Sequence, residues 1–232
     1  SRPNGSGSSL LREDLVVADP LVTHSLGKAF GKVQALHDVS LHVPAGQAVG
    51  LIGANGAGKS TLLKVLVNLL PPSSGRADLL GHDTRTLDAS VFERVGYMAE
   101  GQHLPRVRTV RELLDYCRPF YRRWDETLAA RLLDMLDLPA TTPMPRASRG
   151  TRMKAALVAT LAFHPDLLIL DEPLEGLDPL TRDQVVDGLL ELVSAEGTTV
   201  LIASHDLDVL ERLLDQVAML NASRLVFQES LD

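Results

Sequence analysis

The run Gly53-Ala54-Asn55-Gly56-Ala57-Gly58-Lys59-Ser60-Thr61 fits the pattern G-x-x-x-x-G-K-[ST], and a loop of that kind narrows the fold at once. It works only where a buried strand delivers the chain to a helix N-terminus. Both neighbours are legible: Ala48–Ile52 is a short apolar run of strand type, and Leu62-Leu63-Lys64-Val65-Leu66-Val67 opens a helical pattern. The glycines allow backbone N–H groups to converge on a polyphosphate. Lys59 can reach the outer phosphates, and the Ser60 hydroxyl is a hard ligand suited to Mg²⁺. The bland alternative is a glycine-rich turn that happens to precede a lysine. With glycine at about 7% of average usage, such a chance match comes out on the order of 1 in 100 for a chain this long. Nucleotide binding is therefore the expectation.

At 232 residues, 45% of them apolar, the chain is long enough for one large α/β domain with a substantial core. No uninterrupted apolar stretch approaches the ~20 residues that cross a bilayer, so any membrane link is expected to run through a partner. The net charge of −7 lacks the basic footprint of nucleic-acid binding, and no nucleic-acid partner is expected. Cys117 is the single cysteine, which excludes an internal disulfide and fits a reducing cytoplasmic setting. Its helical spacing from Val110, Leu113 and Leu114 assigns it to a core face.

Residues 1–19 read as a tail or a remnant, opening on the linker-like Ser1-Arg2-Pro3-Asn4-Gly5-Ser6-Gly7-Ser8-Ser9, and folded structure is expected over 20–232. Strand-type runs recur at Val39–Val43, Ala48–Ile52, Val95–Ala99, Leu167–Leu170, Thr199–Ala203, Val217–Leu220 and Leu225–Gln228. Helical patterns separate several of them, which predicts an α/β fold with a mainly parallel central sheet. From about Glu100 to Ala155 the pattern is helical alone. Val110, Leu113, Leu114 and Cys117 form one stripe and Leu128, Leu132, Leu133 and Leu136 another, bracketed by Pro119 and Pro139.

Leu167-Leu168-Ile169-Leu170 ends in Asp171-Glu172, which places two carboxylates at the tip of a buried strand, where ligands bind in open α/β sheets. With the phosphate loop upstream, Asp171 is suited to hold Mg²⁺, usually through water, and Glu172 to polarise an attacking water; the plain alternative for the pair alone is surface acids that end a strand. A second apolar run, Thr199–Ala203, ends in Ser204-His205-Asp206. His205 at that tip either donates to a phosphate or to its attacking water, or serves as a helix-entry residue beside Asp206.

Ala147-Ser148-Arg149-Gly150-Thr151 precedes a helix-like segment with Met153, Ala156, Leu157 and Leu161 on one face. Together with the pieces above, and in this order, it resembles the ATP-binding cassette family, whose signature reads Leu-Ser-Gly-Gly-Gln. Only the serine and the second glycine are retained. Phe30 falls where the family stacks an aromatic on adenine, and a core phenylalanine is its plain alternative. Gly176-Leu177-Asp178 is similar to the family's D-loop, and Tyr97-Met98-Ala99-Glu100 to the Q-loop, with Glu100 where a glutamine is expected.

The resemblance spans about Val22 to Gln228 and implies a P-loop NTPase (RecA-like) core, an N-terminal antiparallel β subdomain and an inserted helical subdomain. On it, 20–99 and 156–232 form the nucleotide-binding core and 100–155 the helical insert. It implies ATP and Mg²⁺ as cofactors. ATP would be held by Phe30, Gly53, Asn55, Gly56, Ala57, Gly58, Lys59, Ser60 and Thr61, and, across a head-to-tail dimer, by Ser148, Gly150 and Asp178. Catalysis would fall to Lys59, Glu172 and His205, and the metal to Ser60, Asp171 and Glu100. The implied partners are a second ATPase subunit and an integral-membrane permease, which would hold the chain at the inner face of the cell membrane. Phe120-Tyr121-Arg122-Arg123-Trp124-Asp125 looks most like the bacterial efflux branch. A non-transport ATPase of the same superfamily and a regulatory nucleotide-binding module remain the alternatives. Aromatics cluster at Phe92, Tyr97, Tyr116, Phe120, Tyr121 and Trp124, either as packing or as a partner surface.

Overall fold

Strands that read as unbroken apolar runs are strands covered on both faces. The computed structural model, which describes residues 19–205 and 210–231, has this arrangement at its centre, and the expected tail falls almost wholly outside the described residues. The elements begin with β1 (Leu21–Phe30), β2 (Val33–Val39), β3 (His42–Val43), β4 (Ala48–Ile52), α1 (Lys59–Leu66), β5 (Ser74–Leu79) and β6 (His82–Asp83). Then come α2 (Ala89–Phe92), β7 (Val95–Met98), α3 (Val110–Cys117), α4 (Glu126–Met135) and α5 (Arg149–Leu161). The chain closes with β8 (Leu167–Asp171), α6 (Pro179–Glu196), β9 (Thr199–Ser204), β10 (Gln216–Asn221) and β11 (Arg224–Ser230).

The main sheet runs β11-β10-β4-β9-β8-β7 and is parallel except for the β10–β11 pair. A second, antiparallel sheet runs β2-β1-β5-β6, with β3 added to β1. Side chains of the central strands alternate between two cores, as a pleated strand requires. Leu168, Leu170, Val200 and Ile202 join α3, α4, α5 and α6 on one face. Leu167, Ile169, Leu201 and Ala203 join α1 and the antiparallel sheet on the other. Each such leucine contributes roughly 1.5–3 kcal/mol through burial. The resulting layers hold the C-terminal tips of β4, β8 and β9 side by side, and the candidate site lies at those tips.

The helical stretch follows its stripes. Val110, Leu113, Leu114, Leu128, Leu132, Leu133 and Leu136 are buried, and Cys117 packs half-buried against them, its thiol pushed up by burial. Thr109, Asp125 and Ser148 cap α3, α4 and α5 with their side chains. The aromatics divide between the two readings. Tyr121 stacks on Phe163 with ring centroids 3.8 Å apart, whereas Tyr116 and Phe120 are exposed.

One expected strand is corrected: Val39–Val43 is not continuous, because β2 ends at Val39 and only His42–Val43 resumes pairing. The reason is a bend built on Thr23. Asp38 adopts a left-handed backbone (φ 56°), and the buried Thr23 hydroxyl donates to the Val39 carbonyl (2.9 Å) while accepting from the Leu41 N–H (2.8 Å). The sequence pattern also passes over β1 and β5, whose glycines and charged residues hide them. Thr23→Val keeps the shape but strands the Leu41 N–H, so it should lower unfolding stability by about 1–3 kcal/mol. Urea denaturation tests this, and an unchanged midpoint would show that the bend does not need the hydroxyl.

Candidate nucleotide-binding site

Between β4 and α1 the backbone must turn in a space that side chains would block. Gly58, the N-cap of α1, has φ 113°, and a Cβ there would lie 2.5 Å from the Ala35 carbonyl oxygen. Gly56 differs: its missing side chain would point into open space, toward which a ligand can approach. The loop borders a cavity of about 300 Å³ lined by Asn55, Gly56, Gly58, Lys59, Ser60 and Thr61 together with Glu100, Glu172, Glu175 and His205. Ala57 instead packs into the core behind the loop.

Lys59 is 5% exposed, and its Nζ donates to the Gly53 carbonyl at 2.6 Å while lying 3.2 Å from Oε1 of Glu172. That Glu172 oxygen is buried and lacks a hydrogen bond of good geometry, so the lysine answers its charge without satisfying its direction. The other oxygen, Oε2, lies 2.9 Å from His205 Nδ1. Parallel pairing produces this meeting, since Asp171 on β8 is in register with Ala203 on β9, and the two tips turn together. Glu172 itself is held in a left-handed conformation (φ 49°), with its N–H donating to the Ala203 carbonyl at 2.9 Å.

Asp171 is 1% exposed and accepts a 3.1 Å hydrogen bond from the Ser60 hydroxyl. Burial pushes its carboxyl above the ordinary value of 3.8; the Ser60 bond works against this, and the charge of Glu172 adds to it. Glu100 is exposed as a residue but borders the cavity. Loss of water, the charges of Glu175 and Asp171, and a hydrogen bond shared with Glu175 push its carboxyl upward. The residues fit a nucleotide and its metal: an unsatisfied buried oxygen, a lysine folded back onto its own loop, and two hard oxygens at Ser60 and Asp171. Among the described residues, no group of three or more His, Cys, Asp or Glu forms a metal cluster by itself.

Other expected site residues stand apart. Phe30 is half-exposed at the end of β1, with Nζ of Lys28 5.0 Å from its ring centroid, while Val33, Gln34 and Ala35 line the cavity. Ser148, Gly150 and Asp178 share a different cavity of about 300 Å³. There Ser148 accepts from the Thr151 N–H at 3.0 Å, and Asp178 caps α6 through Thr181. Sequence reading missed Glu175 and Ser223. Glu175 arrives through a turn closed on Glu172, and Ser223 through the β10–β11 turn, whose N–H donates to the Ala57 carbonyl. The acid three places beyond Glu172 was a readable signal for the first; the second had none.

A glycine-led loop over a buried lysine at the edge of a parallel sheet is a polyphosphate site, so fold and site together define a P-loop NTPase. Within that class the family described as ABC transporter matches residues 36–175, and the chain belongs to it. An uncharacterized ABC transporter ATP-binding protein of Nostoc is 36% identical, with 87% of this chain and 61% of that protein covered. The chain thus spans about three fifths of that relative's length. The daunorubicin resistance ATP-binding protein DrrA3 of Streptomyces coeruleorubidus is 33% identical over 93% of this chain and 70% of its own. The methionine import ATP-binding protein MetN 1 of Yersinia pestis is also 33% identical, over 86% of this chain and 61% of its own. Among solved structures, an ATP-binding subunit of an ABC transporter superposes with a TM-score of 0.82 at 29% identity, covering 91% of this chain and 90% of its own.

The buried Asp171 gives the site a cost that pH reveals. A folded carboxyl held above 3.8 binds protons that the unfolded chain releases, so stability is lost as pH rises from that value through the folded one. Asp171→Asn removes the charge. The nucleotide-free variant should melt higher than wild type at neutral pH, with the gain shrinking toward about pH 4. Thermal unfolding across pH measures it, and a gain independent of pH would assign the effect to packing.

Proposed function

We propose that this chain is the ATP-hydrolysing subunit of a membrane transporter, operating as a head-to-tail dimer. The observation that carries the reading is Glu172, buried at 6% exposure between Lys59 and His205 at the rim of the phosphate-loop cavity. In this reading the loop N–H groups and Lys59 hold the β and γ phosphates, and Glu172 takes the proton of the attacking water. His205, with Nδ1 committed to Glu172, offers Nε2 to the phosphate side. Bound Mg²⁺ supplies charge neutralisation at the phosphates. Ser60 and Asp171 are its protein ligands, with Glu100 bordering the same space. Catalysis is then mainly positioning and charge stabilisation.

The separate cavity holding Ser148, Gly150 and Asp178 supports a dimer in which each chain offers these residues to the other's nucleotide. A solved dimeric bacterial ABC transporter cassette shares the fold, with a TM-score of 0.81 at 23% identity. No helix among the described residues is long and apolar enough to cross a membrane, so an integral-membrane permease is the partner we infer, holding the chain at the inner face of the membrane. A cavity of about 540 Å³ between Glu100–Leu104 and α5 is our candidate for that contact. In this reading 20–99 and 156–232 carry nucleotide and 100–155 faces the permease. Export is the favoured direction, supported by the Phe120–Asp125 segment and the daunorubicin-resistance relative; the import relative at equal identity carries the competing direction.

Glu172→Gln should keep ATP binding, cut turnover by a factor on the order of 10² or more, and accumulate an ATP-dependent dimer visible by light scattering. A monomer at saturating ATP would sink the dimer reading. Lys59→Ala should nearly abolish MgATP binding in a folded protein. Unchanged affinity by equilibrium titration would remove the phosphate loop from the site.

A further inference from the structure

Two of the positions at which this chain departs from the family pattern, Glu100 and Arg149, stand beside a single carboxylate, that of Glu175. Nη2 of Arg149 donates to Oε2 of Glu175 at 2.9 Å, Glu175 lines the phosphate-loop cavity together with Glu100, and Glu100 and Arg149 also border one further cavity. Glu100 and Glu175 line the phosphate-loop cavity, while Arg149 lies beside Ser148 and Gly150 in the separate one. The three side chains therefore run from one cavity to the other within one chain.

Local structure shows that this path is built for a guanidinium. A Cβ on Gly176 would sit 2.9 Å from Nη1 and 3.2 Å from Cζ of Arg149, so the side chain lies against bare backbone at a residue with φ 68°. Arg149 is also the first residue of α5, where a cation opposes the helix dipole and no acid in the first turn offsets it. Its answering charge comes from Glu175. At the site, four carboxylates crowd together: Glu172 is answered by Lys59 and lies 2.9 Å from His205 Nδ1, Asp171 is bonded by Ser60, and Glu175 by Arg149. No ion pair among the described residues reaches Glu100, so the cation nearest in this chain of contacts is Arg149, acting through Glu175.

We propose that Arg149 is a positioning residue for the nucleotide site of its own chain, clamping Glu175 so that the acid at position 100 can be accommodated beside the phosphate loop. The two departures are then a matched pair. The arginine that stands in the signature is committed within its own subunit rather than offered to the opposite one. This inference rests on the reading of the cavity as an ATP site.

The test uses the full chain carrying Arg149→Gly, Arg149→Lys, Glu175→Gln, Glu100→Gln and the doubles built on Arg149→Gly. ATP affinity is measured across a Mg²⁺ titration, and hydrogen exchange of the first turn of α5 is followed without nucleotide. Arg149→Gly should weaken ATP binding about fivefold at low Mg²⁺, a partly exposed pair within a network being worth this order, with the deficit closing as Mg²⁺ saturates. Arg149→Lys should recover most of the loss. Adding Glu175→Gln or Glu100→Gln to Arg149→Gly should also remove it, because the unanswered acid is gone. Exchange at the start of α5 should rise equally in Arg149→Gly and Glu175→Gln. A loss equal at all Mg²⁺ concentrations and untouched by Glu175→Gln would overturn the proposal in favour of direct nucleotide contact. Faster exchange with no Mg²⁺-dependent change would reduce Arg149 to a structural role. Absence of ATP binding in wild type would overturn the reading of the cavity itself, and this inference with it.

Discussion

A lysine that is 5% exposed must have its charge answered inside the protein, and that requirement organises the whole rim of the main sheet. Lys59 is answered by a carbonyl of its own loop and by Glu172, so the loop must curl back and β8 must end beside α1. Glu172 in turn is fixed by His205 and by the Ala203 carbonyl, which ties β9 to the same point. Removing one member of such a buried pair leaves an unanswered charge, a loss of about 3–5 kcal/mol. The parallel register of β4, β9 and β8 is what allows these demands to be met together.

Much of this rim was legible because its signals are local. The phosphate loop is a contiguous pattern, and the strands that lead to Asp171 and His205 are apolar on both faces, so each announces its own end. The antiparallel sheet was not legible in the same way. Gly27 and Lys28 interrupt the apolar pattern of β1 although both are buried, the lysine donating to the Pro71 carbonyl at 2.6 Å, and β5 opens on the exposed Ser74-Gly75-Arg76. Val39–Val43 failed for a subtler reason: an apolar run cannot show that a threonine elsewhere will draw its backbone into a bend. Glu175 and Ser223 reach the cavity through a turn and a hairpin, and nothing in the flanking sequence marks Ser223.

The phosphate loop and the Ser148 loop occupy different cavities of one chain, yet they are not independent. Their separation suits an arrangement in which each chain supplies half of two sites. The salt bridge from Arg149 to Glu175 links the halves within the chain, so a change at one cavity has a direct mechanical route to the other.

Glu172 sits in a left-handed backbone conformation that a side chain tolerates only at a cost of roughly 1–3 kcal/mol, in a place where its charge is also buried. A glycine at that position would relax the backbone but leave Lys59 buried without its answering charge, a loss of about 3–5 kcal/mol that outweighs the relief. Fold and chemistry therefore lean on the same side chain, and a library screened for heat resistance alone would keep the acid at this position without ever being asked for turnover.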